Sequence, residues 1–176
     1  MGMLFFRKKK TVAEFVPVVL PDPVMVDGPR KKVLVVDDDE VTVKMLTLAL
    51  NAKGYEVLSA TDGSQAISII REQNPDIMLV DVGLPADLGG AQLCDGFQVT
   101  RWLQRANSRK IPAIIISGSD KPAYQRQAAA VGANAFIAKP INKDVLLESI
   151  ESALANPVAA VGGCEMFKMA ENSFAS

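Results

Sequence analysis

The chain has 176 residues, 19 of them basic and 20 acidic, with a formal net charge of −1. That length suits one domain with extensions and a full core, and the even charge balance offers nucleic acid or an anionic membrane no bulk attraction. Histidine is absent, which excludes histidine-based acid–base catalysis, His-ligated zinc and a phosphohistidine carried by this chain.

The two cysteines, Cys94 and Cys164, are far apart and form no CxxC pattern. Reduced thiols in a cytosolic protein are therefore expected, rather than a disulfide framework or zinc site. No run approaches the about 18 apolar residues of a membrane span. The opening M-G-M-L-F-F-R-K-K-K puts its charge after the apolar residues, the reverse of a signal peptide, and Phe6 breaks a myristoylation motif at Gly2. Cytoplasm is the expected location.

Residues 1–30 read as an appended segment. The basic run at 7–10 is followed by V-P-V-V-L-P-D-P-V, in which Pro17, Pro21 and Pro23 forbid a continuous helix. Two readings stand: a solvated tail or linker, and a docking segment that buries its phenylalanines and valines.

Regular patterning starts at Lys31. Residues 33–36 form an apolar run of strand length; Val41, Met45, Leu48, Ala49 and Ala52 then recur at helical spacing, with Gly54 as the stop. A second strand is expected at 56–60. The helix carrying Ala66, Ile67 and Ile70 must end by Asn74, since Pro75 follows. Residues 77–80 do not alternate and read as a strand buried on both faces. A helix over 95–105 carries Val99, Trp102 and Leu103. A strand is expected at 113–116, a small-residue helix at 125–131 closed by Gly132, and a strand at 135–138. Asn142 caps a last helix bearing Val145, Leu146, Ile150 and Leu154. The tail from 156 to 176 has no strong periodicity.

Five alternations of strand and helix predict an α/β fold with an open, doubly wound parallel sheet flanked by helices. Ligands of such sheets bind beyond the carboxyl ends of the strands. There the chain places Asp37, Asp38 and Asp39 after the first strand, Asp81 after the third, Ser117-Gly118-Ser119 after the fourth, and Lys139-Pro140 after the fifth. Carboxylates gathered so closely cannot all stay ionised without compensation. One lysine is too little, so a hard divalent cation such as Mg²⁺ is implied.

The motifs V-L-V-V-D-D-D-E, P-D-I-M-L-V-D-V-G-L-P, D-G-F, I-I-I-S-G and G-A-N-A-F-I-A-K-P occur in that order. Each is weak alone. Together they resemble the receiver domain of bacterial two-component response regulators, over residues 31–155, and most closely the stand-alone, chemotaxis-regulator-like type. The resemblance implies a flavodoxin-like sheet of order 2-1-3-4-5.

By the same resemblance Asp81 accepts a phosphoryl group from a partner histidine kinase or His-phosphotransfer protein. Asp37 and Asp38 match the acidic pair that holds Mg²⁺ (or Mn²⁺) with Asp81, and the Gly83 backbone carbonyl is a further ligand. Pairing the metal with Asp38 and Asp39 is the alternative, but strand register and the family pattern favour Asp37 and Asp38. Ser117 matches the hydroxyl that binds the phosphoryl group, Lys139 the lysine that pairs with Asp81, and Phe136 the aromatic switch. Lys139-Pro140 is cis in the family pattern. Gly83 and Ser119 fall where the family tunes phosphoryl lifetime.

The residues agree with that chemistry. An aspartate nucleophile needs no deprotonation at neutral pH, and a cation, Lys139 and Ser117 would offset the charge developing on the phosphoryl oxygens. Asp39 reads as the cap of the first helix.

The chain departs from the family in one place. Between L84-P85 and D95-G96 lie A-D-L-G-G-A-Q-L-C, roughly seven residues more than usual, read either as a tolerated insertion or as a loop gating Asp81. After the last helix too few residues remain for a DNA-binding output domain. A downstream protein target is therefore expected, reached through the fourth helix, fifth strand and fifth helix, with the chain a monomer or a phosphorylation-dependent dimer. A degenerate receiver acting as an adaptor is the alternative. A haloacid-dehalogenase phosphatase is disfavoured because Gly83 stands where it needs a second aspartate, and a nucleotide-binding domain because no GxGxxG follows the first strand.

Overall fold

The computed structural model describes residues 29–84, 95–106 and 110–157. The expectations for the N-terminal segment, for Pro85 and the insertion with Cys94, and for most of the C-terminal tail with Cys164 lie outside them. Five strands and five helices alternate: β1 (Lys32–Val36), α1 (Glu40–Asn51), β2 (Glu56–Ala60), α2 (Gly63–Gln73), β3 (Ile77–Asp81), α3 (Gly96–Ala106), β4 (Ala113–Ser117), α4 (Pro122–Ala130), β5 (Ala135–Ala138) and α5 (Lys143–Ala155). The sheet is parallel throughout, in the order β2-β1-β3-β4-β5.

Alternation along each strand divides the core in two. Leu34, Val36, Met78, Val80, Ala113 and Ile115 point to one face, where Ala66 and Ile70 of α2, Phe97 and Val99 of α3, and Ala128 of α4 cover them. Val33, Val35, Ile77, Leu79, Ile114 and Ile116 point to the other, under Leu46 and Leu50 of α1 and Leu146 and Ile150 of α5. Every residue of β3 and β4 is buried, as a central parallel strand between two helical layers must be.

Local chemistry sets the element ends. The Asp39 carboxylate caps α1 by accepting from the backbone N–H of Val41 and Thr42. Asp62 caps α2, which stops at Asn74 in the left-handed conformation (φ 49°) before Pro75. Asn142 caps α5 through the N–H of Asp144 and Val145. The fourth helix begins at Pro122, three residues ahead of the expected start, because proline is preorganised for the first helical turn and its missing N–H costs nothing there.

One helix is rotated relative to the periodicity reading. Val41, Met45 and Leu48 of α1 are 66%, 58% and 61% exposed, and Thr42, Leu46 and Leu50 face the sheet instead. The expected face of α5 holds for Leu146 and Ile150, which are buried, and Leu154, which packs against them; Val145 alone of the four is exposed. Adjacent apolar residues in a helix define two stripes about 100° apart, and spacing alone does not say which of them meets the sheet.

Candidate functional site

Parallel pairing brings the carboxyl ends of the strands to one edge. Val36 pairs with Val80, Asp81 with Ile116, and Ser117 with Ala138, so Asp37, Asp81, Ser117 and Lys139 all emerge on that edge. Asp37, Asp81 and Ser117 are buried despite being polar. A buried polar group must find partners, and each of these does.

Lys139 is the hub. Its Nζ lies 2.8 Å from Asp81 Oδ1 and 3.0 Å from Asp37 Oδ2, so one ammonium joins the ends of β1, β3 and β5. Burial works against that charge. The hydrogen bonds to Asp81 and Asp37, with their negative charges, outweigh it and hold the Lys139 ammonium above the ordinary lysine value. The second oxygen of each aspartate is also used. Asp37 Oδ1 accepts from the Asp39 N–H at 2.9 Å, and Asp81 Oδ2 accepts from the Gly83 N–H.

Around this triad the backbone is closely drawn. The Lys139 N–H donates to the Ser117 carbonyl at 2.7 Å, and the Val82 N–H to the Ile116 carbonyl at 2.9 Å. Ser117 Oγ accepts from the Ser119 N–H at 3.1 Å, which leaves its own O–H to donate elsewhere. The Lys139–Pro140 peptide is cis. Phe136, the middle of the β4–β5 pairing, is half-buried against the α2–α4 face of the core. A side chain added at Gly118 would meet only open space, so that position is roomy.

Asp38 and Asp39 part company with Asp37. Asp38 is exposed. Asp39 belongs to α1: the hydrogen bond from the Thr42 hydroxyl at 2.7 Å, followed by that from the Val41 N–H, holds its carboxyl below the ordinary value of 3.8.

Among the described residues no three acidic side chains stand close enough together to hold a metal ion. The donor chemistry nevertheless fits a hard divalent cation. Asp37 and Asp81 share one ammonium between two carboxylates, and Asp38, exposed on the same loop, has a third that is free to turn.

Two residues in the quoted motifs carry structural roles that sequence reasoning missed. A Cβ at Gly96 would lie 2.0 Å from the Asp81 carbonyl oxygen, because α3 starts against the backbone of the candidate acceptor. The D-G-F motif therefore needs glycine for clearance. Asn134 joins the α4–β5 turn to its surroundings: its Oδ1 accepts from the Ala113 N–H at 3.1 Å, and its Nδ2 donates to the Asn156 carbonyl at 3.1 Å.

An acid pair and a lysine at the carboxyl edge of a 2-1-3-4-5 sheet define a receiver-type signalling module. Residues 33–151 match the family model of the response regulator receiver domain, and the chain belongs to that family, whose members act in two-component signalling. Phosphoryl acceptance and contacts with histidine kinases, phosphotransfer proteins and downstream targets are general to it, and receiver domains generally bind Mg²⁺ at their acidic pocket.

Its relatives include protein PilH of Pseudomonas aeruginosa, 31% identical over 125 residues that cover 70% of this chain and 98% of PilH. The polar-differentiation response regulator DivK of Brucella anthropi is 31% identical over 70% of this chain and 96% of its own. Among solved structures, chemotaxis protein CheY4 of Vibrio cholerae superposes with a TM-score of 0.62 at 26% identity, over 70% of this chain and 98% of CheY4. The receiver domain of NtrX from Brucella abortus gives 0.63 at 27%, over 70% and 98%. No described helix is long and apolar enough to cross a membrane.

Proposed function

We propose that Asp81 is the phosphoacceptor of a single-domain response regulator comprising residues 31–155, with residues 1–30 and 156–176 as extensions. The observation that carries this reading is the Asp37–Lys139–Asp81 triad: a buried carboxylate at a strand end, paired with an ammonium shared with a second acid. An aspartate carboxylate so placed can act as the nucleophile. The Gly83 N–H bonded to its Oδ2 orients the carboxylate.

Each neighbour has a task in the reaction. Lys139, already on Asp81 Oδ1, follows the negative charge onto the phosphoryl oxygens, and the Ser117 O–H donates to one of them. Asp37, Asp38, Asp81 and the Gly83 carbonyl would hold Mg²⁺ (or Mn²⁺), which when bound supplies charge neutralisation for phosphoryl transfer. Ser117, drawn toward the new group, frees space beside Phe136, whose half-buried ring is the element able to change position. Gly83 and Ser119, flanking the acceptor and the hydroxyl, set the phosphoryl lifetime.

The donor is a histidine kinase or a His-phosphotransfer protein, since this chain has no histidine of its own. Output passes to a protein target through the face of α4, β5 and α5, in the cytoplasm. PilH and DivK, matched over almost their whole lengths, support a receiver that works without an attached output domain. The chemistry is confined to the chain's own phosphorylation and dephosphorylation.

A second reading, a phosphorylation-independent adaptor, draws on the absence of a three-acid cluster among the described residues. Incubation with acetyl phosphate, with and without Mg²⁺, separates the two by intact mass. A one-phosphoryl adduct that requires Mg²⁺ supports the acceptor reading. Folded protein that binds Mg²⁺ yet gains no adduct supports the adaptor.

A further inference from the structure

Between α3 and α4 lies a pocket of about 560 Å³, which the Asp37–Lys139–Asp81 triad does not border. That is room for a small organic molecule, whose sites run to about 300–1,000 Å³. Part of the lining is aromatic: Phe97 is 2% exposed and Trp102 is half-buried, both packed on the α2–α4 face of the core. The rest is polar. Gln98, Arg101 and Arg105 line it from the exposed side of α3, and half-buried Gln127 reaches it from α4.

Charge sets this pocket apart. Arg101 and Arg105 sit one turn apart on one face of α3, a spacing at which like charges destabilise a helix. Neither forms an ion pair with a described carboxylate. Arg71 of α2 sets a third guanidinium 5.9 Å from the centre of the Trp102 ring. Three cations around one indole, in a chain whose net charge is −1, favour an anionic occupant.

The two ends of the pocket differ. The arginines lie toward the C-terminal end of α3, where their forked N–H groups match phosphate oxygens. Asp95 stands before the first turn, about 15 Å from Arg105 along the helix axis. Its Oδ1 accepts from the Gln98 N–H at 2.8 Å. Its Oδ2 has no partner among the described residues, and with the Gln98 amide it can pair with a polar ring edge. Inorganic phosphate would leave the aromatic lining unused, and an apolar ligand would leave the arginines unpaired. A phosphate joined to a planar heterocycle uses both.

We propose that this pocket binds a nucleoside phosphate, with its phosphate on Arg101 and Arg105 and its base against Phe97 and Trp102. The phosphate end is the C-terminal half of α3 rather than the turn after β1, so the GxGxxG missing there has no bearing on it. This assignment is independent of the phosphoacceptor reading.

Titration of the full chain with ATP and with GTP tests it, in EDTA so that no metal–phosphate complex forms at the acidic edge. Trp102 is the chain's single tryptophan, and its emission reports on the pocket while calorimetry gives the affinity. Saturable binding of at least one nucleotide is expected, with a change in Trp102 emission and an affinity at least about tenfold above that of inorganic phosphate. Arg101→Gln/Arg105→Gln, at two exposed positions, should weaken it at least about tenfold with the urea midpoint unchanged. Failure of both nucleotides to bind would overturn the proposal, as would binding that leaves Trp102 emission unmoved. Inorganic phosphate binding equally tightly, or undiminished nucleotide affinity in the folded variant, would overturn it too. Should the double variant be unstable, the two single variants decide by the same comparison, and affinity unchanged in both refutes the site.

Discussion

Replacing Lys139 by methionine removes the ammonium while keeping most of its aliphatic stem. Asp37 and Asp81, 2% and 6% exposed, would then face each other with no compensating charge. Removing one partner of a buried ion pair costs about 3–5 kcal/mol. The Lys139 side chain is 29% exposed, and water reaching its head lowers the expected loss to about 2–3 kcal/mol. Urea unfolding at pH 7 measures it directly, as a fall in midpoint at unchanged slope.

The mechanism, as opposed to mere loss of packing, is tested by a cycle with Asp37→Asn. The double variant has one lone carboxylate rather than two, so it should be more stable than the sum of single losses by at least about 1 kcal/mol. The sign with pH is also fixed. Lys139 titrates higher when folded than its ordinary value of 10.5, so its contribution is fully present below that value and lost as the pH rises through the folded one. The gap between wild type and Lys139→Met should hold through neutral pH and narrow only above 10.5. A loss under about 0.5 kcal/mol, within the range of ordinary surface substitutions, would refute the reasoning, as would strict additivity in the cycle.

Gly96→Ala puts a Cβ 2.0 Å from the Asp81 carbonyl oxygen, a backbone atom with no rotamer to yield. A loss of about 3 kcal/mol by urea unfolding is expected, the upper end of overpacking. Gly83→Ala, whose Cβ would meet the movable Asp81 Oδ2 at 2.8 Å, should cost less; the reverse order would contradict the clearance argument. Asp39→Ala should lower the urea midpoint at pH 7. Because the Asp39 carboxyl is held below 3.8 when folded, that deficit should fade as the pH falls through the folded value. The buried Thr100 hydroxyl has no hydrogen-bond partner among the described residues, so Thr100→Val should raise stability by about 1 kcal/mol in thermal or urea unfolding.

The sheet was readable because its strands are short apolar runs separated by turn residues and helical spacing. Strands β2 and β5 fall at the expected bounds, and the others differ by a residue. Helix phase was less legible. In α1 the sequence offers Val41-Met45-Leu48 and Thr42-Leu46-Leu50 as rival stripes, and only the packing of α1 on the sheet selects the second. At the site, the strand-end rule alone places Asp37, Asp81, Ser117 and Lys139 on one edge. What it lacked was connectivity. That Lys139 serves both acids, and that Gly96 rests on the Asp81 backbone, are facts of side-chain reach and helix approach that residue spacing does not encode. Gly96 did leave a signal, the glycine in D-G-F immediately after Asp95, whose carboxylate accepts from the Gln98 N–H, but not a reason.

The phosphoryl group is expected on Asp81. After exposure to acetyl phosphate and Mg²⁺, borohydride reduction converts an aspartyl phosphate to homoserine, which peptide mass spectrometry locates. Homoserine at position 81 in the wild type, with no adduct in a folded Asp81→Asn variant, is the predicted result. Homoserine at Asp37 or Asp38, or an adduct that survives Asp81→Asn, would contradict it.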